Sequence, residues 1–193
     1  MKVLMINGSR REHGCTYTAL QKMAEVFAEA GVESEIIFVG KRAVNGEIDE
    51  LVKEIATAAA TADGIVVGSP VYYASPTGEV LSVLDRLFSV AEADLRFKPA
   101  AAVTSARRAG TTACLDALNK YFMFNQMPIV SSRYWNMVHG SVPEDVKKDE
   151  EGLQIMEVLA KNMIWLMQSI AAGKEKGVVQ PQPVKKVFTN FIR

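Results

Sequence analysis

"KVLMINGSRREHGCTYTAL", residues 2–20, decides the fold. Residues 2–6 carry the continuous apolar run Val3-Leu4-Met5-Ile6, the pattern of a strand covered on both faces. From Cys15 onward Leu20, Met23, Ala24, Phe27 and Ala28 recur on one face of a helix spanning 15–30, and Gly31 stops it. Between strand and helix lies a short loop with two glycines, several hydroxyls and two arginines. Such a strand, loop and helix form the opening unit of an α/β sheet.

The same alternation runs down the chain. Residues 33–39 and 64–69 read as the second and third strands, 99–104 as the fourth and 128–132 (PIVSS) as the fifth. Helices are expected over 48–62, 77–90 (opening at Pro76), 111–126 and 144–172, the last ended by Gly173. Five strand-and-helix units imply a doubly wound parallel sheet with helices on both faces. One domain over 1–173 accounts for them. Residues 174–193 form a tail with an apolar end, either an arm on a neighbouring subunit or a frayed terminus.

Bulk properties narrow the function. The chain has 193 residues, 49% hydrophobic and 23% charged, with a formal net charge of zero. That gives no electrostatic case for nucleic acid or an anionic membrane. It also lacks the strongly acidic surface expected of a pure electron shuttle. The two cysteines, Cys15 and Cys114, stand in no metal-ligand or redox spacing. No signal segment or membrane span is legible, so a reduced, cytoplasmic protein is expected.

In an open α/β sheet, ligands bind beyond the carboxyl ends of the strands. After the first strand, backbone N–H groups at the helix start, with Ser9, Thr16, Thr18 and the Arg11 guanidinium, suit a phosphate. The loop lacks both GxGxxG and a closing Gly-Lys-Ser/Thr. The alternative is a plain capped turn with Thr16 or Cys15 near the N-cap. Cys15 at a helix start is also open to a lowered pKa and a thiolate role. After the third strand, Ser69-Pro70-Val71-Tyr72-Tyr73-Ala74-Ser75-Pro76 is a stiff loop that can lie against a flat heterocycle, or else pack its tyrosines on the next helix. After the fourth, Ser105-Ala106-Arg107-Arg108-Ala109-Gly110 offers close backbone approach and two arginines, for an anionic substrate or for solvent. No metal site is legible.

Together these loops resemble those of the flavodoxin-like NAD(P)H-dependent FMN reductases. GSRREHGCT (8–16) resembles that family's GSPRxxGNT loop, and SPVYYASPTG (69–78) its SPVYxxxxP segment, followed by Leu84-Asp85-Arg86. YWNMVHG (134–140) is similar to a stretch in the iron–sulfur flavoprotein branch. The family's proline is Arg10 here and its asparagine is Cys15. Iron–sulfur members carry a cysteine cluster where this chain has VGKRAVNGEI (39–48), so no [4Fe–4S] cluster can be held in that way.

The resemblance implies a flavodoxin-like sheet of order 2-1-3-4-5 and FMN as cofactor. The phosphate would sit on Ser9, Arg11, Cys15 and Thr16, with Thr18 nearby. The isoalloxazine would lie between Pro70, Val71, Tyr72, Tyr73, Ala74 and Ser75 on one side and Ser105, Ala106, Arg107 and Gly110 on the other. Arg108, Trp135 and His139 are candidates for the substrate or subunit edge. The implied activity passes hydride from NADPH or NADH through flavin N5 to a quinone, flavin, nitro or azo compound or metal ion, with no side-chain acid or nucleophile needed. A homodimer or homotetramer is expected. The alternatives are a one-electron carrier and a non-catalytic flavin-binding sensor.

Overall fold

The computed structural model describes residues 1–189 and 191. Five parallel strands, β1 (Lys2–Asn7), β2 (Glu33–Phe38), β3 (Gly64–Pro70), β4 (Ala100–Ala106) and β5 (Met137–His139), lie in the order β2-β1-β3-β4-β5. This is the flavodoxin-like arrangement. Among the described residues eight helices accompany them: α1 (Cys15–Glu29), α2 (Gly40–Val44), α3 (Ile48–Thr61), α4 (Gly78–Val90), α5 (Glu92–Leu95), α6 (Thr111–Phe124), α7 (Pro143–Val146) and α8 (Glu150–Glu175).

Strand periodicity divides the apolar residues between two cores. Leu4, Ile6, Ile65, Val67, Ala100 and Ala102 face α3, α4 and α6, while Val3, Met5, Val66, Ala101 and Val103 face α1 and α8. Every one of these side chains is buried, which is why the strands read as unbroken apolar runs. Helix α1 buries Leu20, Met23 and Phe27 as expected, but Val26 takes the place assigned to Ala28, which is exposed.

The fifth strand lies elsewhere than expected. Residues 128–130 meet only the start of β4: Ala100 N donates to Pro128 O, Val130 N donates to Ala100 O, and Ile129 forms a lone bridge with Ala100. The chain then leaves the sheet and returns at Met137–His139 to pair with Thr104–Ala106. The excursion is pinned beneath by Ser132 Oγ donating to Ile155 O (2.7 Å) and Asn162 Nδ2 donating to Ser131 O (2.8 Å). It carries the half-exposed Tyr134 and Trp135, whose rings meet edge to face at 4.5 Å.

Two helix starts also differ. Thr77, one residue past Pro76, caps α4 by accepting from Val80 N. The helix expected over 144–172 is two: α7 ends at Val146, and Asp149 caps α8 by accepting from Gly152 N at 2.9 Å. Helix α8 runs past Gly173 to Glu175, and the described residues beyond Gly177 form no helix or strand and are exposed. No helix among the described residues is long and apolar enough to cross a membrane.

Candidate active site

The carboxyl ends of β1, β3 and β4 converge, and the loops that follow them share hydrogen bonds. Asn7 begins the first loop: its side chain accepts from Ser9 N at 3.1 Å and donates to Glu12 O at 2.8 Å. Ser9 Oγ in turn accepts from Arg11 N at 3.1 Å. These turns bring the chain to Gly14, the N-cap of α1, where no side chain caps the helix. The first bond entering the helix runs from Thr18 N to Gly14 O. The N–H groups of Cys15, Thr16 and Tyr17 therefore lie ahead of the helical ladder, with the positive end of the helix dipole behind them. The loop is not a side-chain-capped turn.

Gly68 sets the helix close to the sheet. A Cβ there would lie 2.8 Å from Thr16 Cγ2 and 3.1 Å from Leu20 Cδ1, so a larger residue would push the α1 N-terminus away. At this distance the buried Thr16 and Ser105 hydroxyls share a 2.8 Å hydrogen bond between α1 and β4. The first and third loops are joined by Gly8 N donating to Gly68 O (2.8 Å) and Thr77 Oγ1 donating to Gly8 O (2.7 Å).

The third loop is a tight hairpin. Tyr72 and Ser75 exchange backbone hydrogen bonds of 3.0 Å, and the residues between them, Tyr73 and Ala74, have φ of 51° and 57°. Asn-Gly normally fills such a turn, because both central residues are left-handed. Each non-glycine residue there stores roughly 1–2 kcal/mol. Ala74→Gly is expected to stabilise the protein by about 1 kcal/mol, raising the melting temperature by roughly 2–4 °C in a thermal scan. The fourth loop presses on this hairpin. Val71 N donates to Ser105 O at 2.9 Å, and a Cβ on Gly110, at φ +92°, would press on Ala74 Cα and Val71 Cγ1 at 3.0 Å.

These loops enclose a cavity of about 290 Å³ lined by Ser9, Arg11, Gly14, Cys15, Thr16, Pro70, Val71, Tyr72, Ser105, Ala106, Arg107, Gly140 and Ser141. It joins most of the residues singled out from the three loops. Thr18 sits a turn deeper, with its hydroxyl donating to Gly14 O at 3.2 Å, and faces a different cleft. Tyr73, Ala74, Ser75 and Gly110 shape the cavity's rim without lining it, and the Tyr73 ring is fully exposed. Arg108, Trp135 and His139 also lie outside the lining, and all three are exposed. His139 N donates to Asp149 Oδ2 at 2.6 Å.

Gly140 and Ser141 were not foreseen. They come from the loop after β5, held by Asp145 Oδ2, which accepts from Ser141 N at 2.9 Å. Gly140 closes the YWNMVHG stretch and Ser141 follows it, but only the pairing of β5 with β4 brings them to the cavity. The cleft of about 850 Å³ between α1 and α7–α8 is larger, but its wall mixes Lys22, Lys147, Glu25, Glu150 and Glu157 away from the strand ends.

The smaller cavity favours an anion. Arg11 and Arg107 line it, and no carboxylate is among the described residues that do. The neighbouring Arg10 is drawn off to Glu79 at 3.1 Å. Burial pushes the Cys15 thiol up, outweighing the lowering by its own backbone N–H and Arg11, the opposite of the lowering a thiolate role needs. The thiol donates to Gly140 O at 3.5 Å, tying the first loop to the last. Burial in α6 pushes Cys114 up to about 12.

A model of the NADPH-dependent FMN reductases matches residues 1–141. The chain belongs to this family. An iron-sulfur flavoprotein of Methanocaldococcus jannaschii is 27% identical over 88% of this chain and 99% of its own. Among solved structures, the WrbA-like flavodoxin of Agrobacterium tumefaciens has TM-score 0.67 at 15% identity, covering 87% of this chain and 97% of that one. The NAD(P)H:(acceptor) oxidoreductase FerB of Paracoccus denitrificans has TM-score 0.67 at 13% identity, with the same coverage. As an FMN reductase family member the protein is an FMN-dependent oxidoreductase. The cavity suits the flavin's phosphate: an uncapped helix start, two guanidinium groups and no opposing carboxylate. Within VGKRAVNGEI (39–48), residues 40–44 form α2.

Proposed function

We propose that the protein reduces a small-molecule acceptor at the expense of NADPH or NADH, with FMN held at the ends of β1, β3 and β4. The observation that carries this is the convergence of the uncapped α1 start, Arg11 and the backbones of 70–72 and 105–107 on one cavity. Bound there, FMN supplies the hydride acceptor and donor. Ser9, Arg11, Cys15 and Thr16 bind the phosphate through backbone amides, hydroxyls and charge. Cys15 contributes its amide and not its sulfur, which is engaged with Gly140 O.

Pro70, Val71 and Tyr72 orient one edge of the isoalloxazine, and Ser105, Ala106 and Arg107 the other. The stiff Tyr72–Ser75 hairpin and Gly110 hold these walls at a fixed separation, so little ordering is left to binding. Tyr73 offers an exposed ring on which nicotinamide or a flat acceptor can stack. A quinone, a free flavin, a nitro or azo compound and a metal ion are the acceptor classes to screen.

The test is a visible spectrum of the purified protein before and after NADPH under anaerobic conditions. The flavin bands are expected to be present and to bleach within seconds. Bands that persist with both NADPH and NADH would refute nicotinamide-driven turnover. A colourless protein that takes up no added FMN would refute the site itself.

A further inference from the structure

We infer that Asn7 is a positioning residue: its side-chain amide holds residues 9–12 so that the Ser9 hydroxyl and the Arg11 guanidinium meet the flavin phosphate, a role that rests on the phosphate loop proposed above. Asn7 itself does not line the cavity. It ends β1, beside Phe38 of β2 and Gly68 of β3, and it is fully buried. Val39 N donates to its carbonyl at 3.0 Å. The amide therefore stands on the rigid middle of the sheet, while the groups it serves stand on a loop.

From that base the amide grips the loop at two points. Its Oδ1 accepts from Ser9 N at 3.1 Å, and its Nδ2 donates to Glu12 O at 2.8 Å. Inside this grip Ser9 Oγ accepts from Arg11 N at 3.1 Å, and Arg11 O accepts from Gly14 N at 3.2 Å. Arg11 is thus held on both sides of its Cα. Because Ser9 Oγ accepts from Arg11 N, its own proton is left to donate into the cavity that it lines. Arg10, Arg11 and Glu12 are exposed, so apolar packing does not hold the tip and its shape depends on these hydrogen bonds. The result is that two successive arginines are sorted. Arg10 turns away to Glu79 of α4 at 3.1 Å, and Arg11 turns to the cavity.

Flavin fluorescence quenching on the full chain, with FMN and riboflavin in parallel, tests this. Asn7→Ala should weaken FMN about 10-fold and riboflavin less than about 3-fold. Asn7→Ser, whose hydroxyl still accepts from Ser9 N but does not reach Glu12 O, should fall between that variant and the wild type, and carries the comparison if Asn7→Ala does not fold. In an Arg11→Ala background, Asn7→Ala should cost FMN at least ~3-fold less than it does alone, since one of the groups it aims is gone. A residue that only steadied the fold would lower the melting temperature and weaken both flavins alike. Equal losses for the two flavins, or losses of Asn7→Ala and Arg11→Ala that simply multiply, would overturn the role of Asn7 and leave the phosphate loop standing. A wild-type protein with no preference for FMN over riboflavin would overturn both.

Discussion

Riboflavin is expected to bind this protein at least ~100-fold more weakly than FMN, since it lacks only the phosphate and each charge-assisted hydrogen bond contributes about 1.5–3 kcal/mol. The donors that would be left without a partner are the amides at the start of α1, the Ser9 hydroxyl and Arg11. Arg11→Ala should weaken FMN roughly 10–100-fold and riboflavin very little, because the arginine acts on charge. Flavin fluorescence quenching gives both constants. The FMN loss should shrink in high salt, as screening weakens the wild-type contact at a partly open site. Equal affinity for the two flavins would remove residues 8–16 as the phosphate loop.

Gly110→Ala is expected to lower stability by about 2–4 kcal/mol, combining left-handed backbone strain with overpacking. Its new Cβ would lie 3.0 Å from both Ala74 Cα and Val71 Cγ1. The first of these is backbone in an already strained turn and has little room to give. The hairpin must therefore move, taking Val71 and Tyr72 with it. A fall in melting temperature of roughly 5–15 °C and loosened FMN should appear together. A variant that loses stability yet binds FMN normally would separate the hairpin from the cofactor site. Ala74→Gly acts on the same turn with opposite sign, since it releases strain without adding volume.

Much of this was legible in the sequence, for physical reasons. Strands β1, β3 and β4 are covered on both faces, so their residues must be apolar throughout, and such runs are readable. The loops after them carry Gly, Pro and hydroxyl residues in close order and so announced themselves. The fifth strand misled because its apolar signal, Pro128-Ile129-Val130, belongs to a segment that touches β4 only once, whereas Met137–His139 is too short to show a period. Helices α2 and α5 are of the same kind, about one turn each. Thr18 was grouped with the phosphate loop by proximity in sequence, but one further helical turn carries it to another face. Gly140 and Ser141 lay hidden because tertiary pairing alone brings them to the cavity.

The divided fifth strand bears on how the protein behaves when crowded. An edge strand offers unpaired amides and carbonyls on which another chain can stack. Here that edge is two short pieces, with residues 131–135 lying outside the ladder between them. A foreign strand would find three residues in register at Met137–His139 and then lose its template. The excursion thus acts as a guard against aggregation while the chain is newly made and at high local concentration. Straightening it, by deleting residues 131–135 to fuse the two pieces, should lengthen the ladder and make the protein more prone to form insoluble β-rich assemblies.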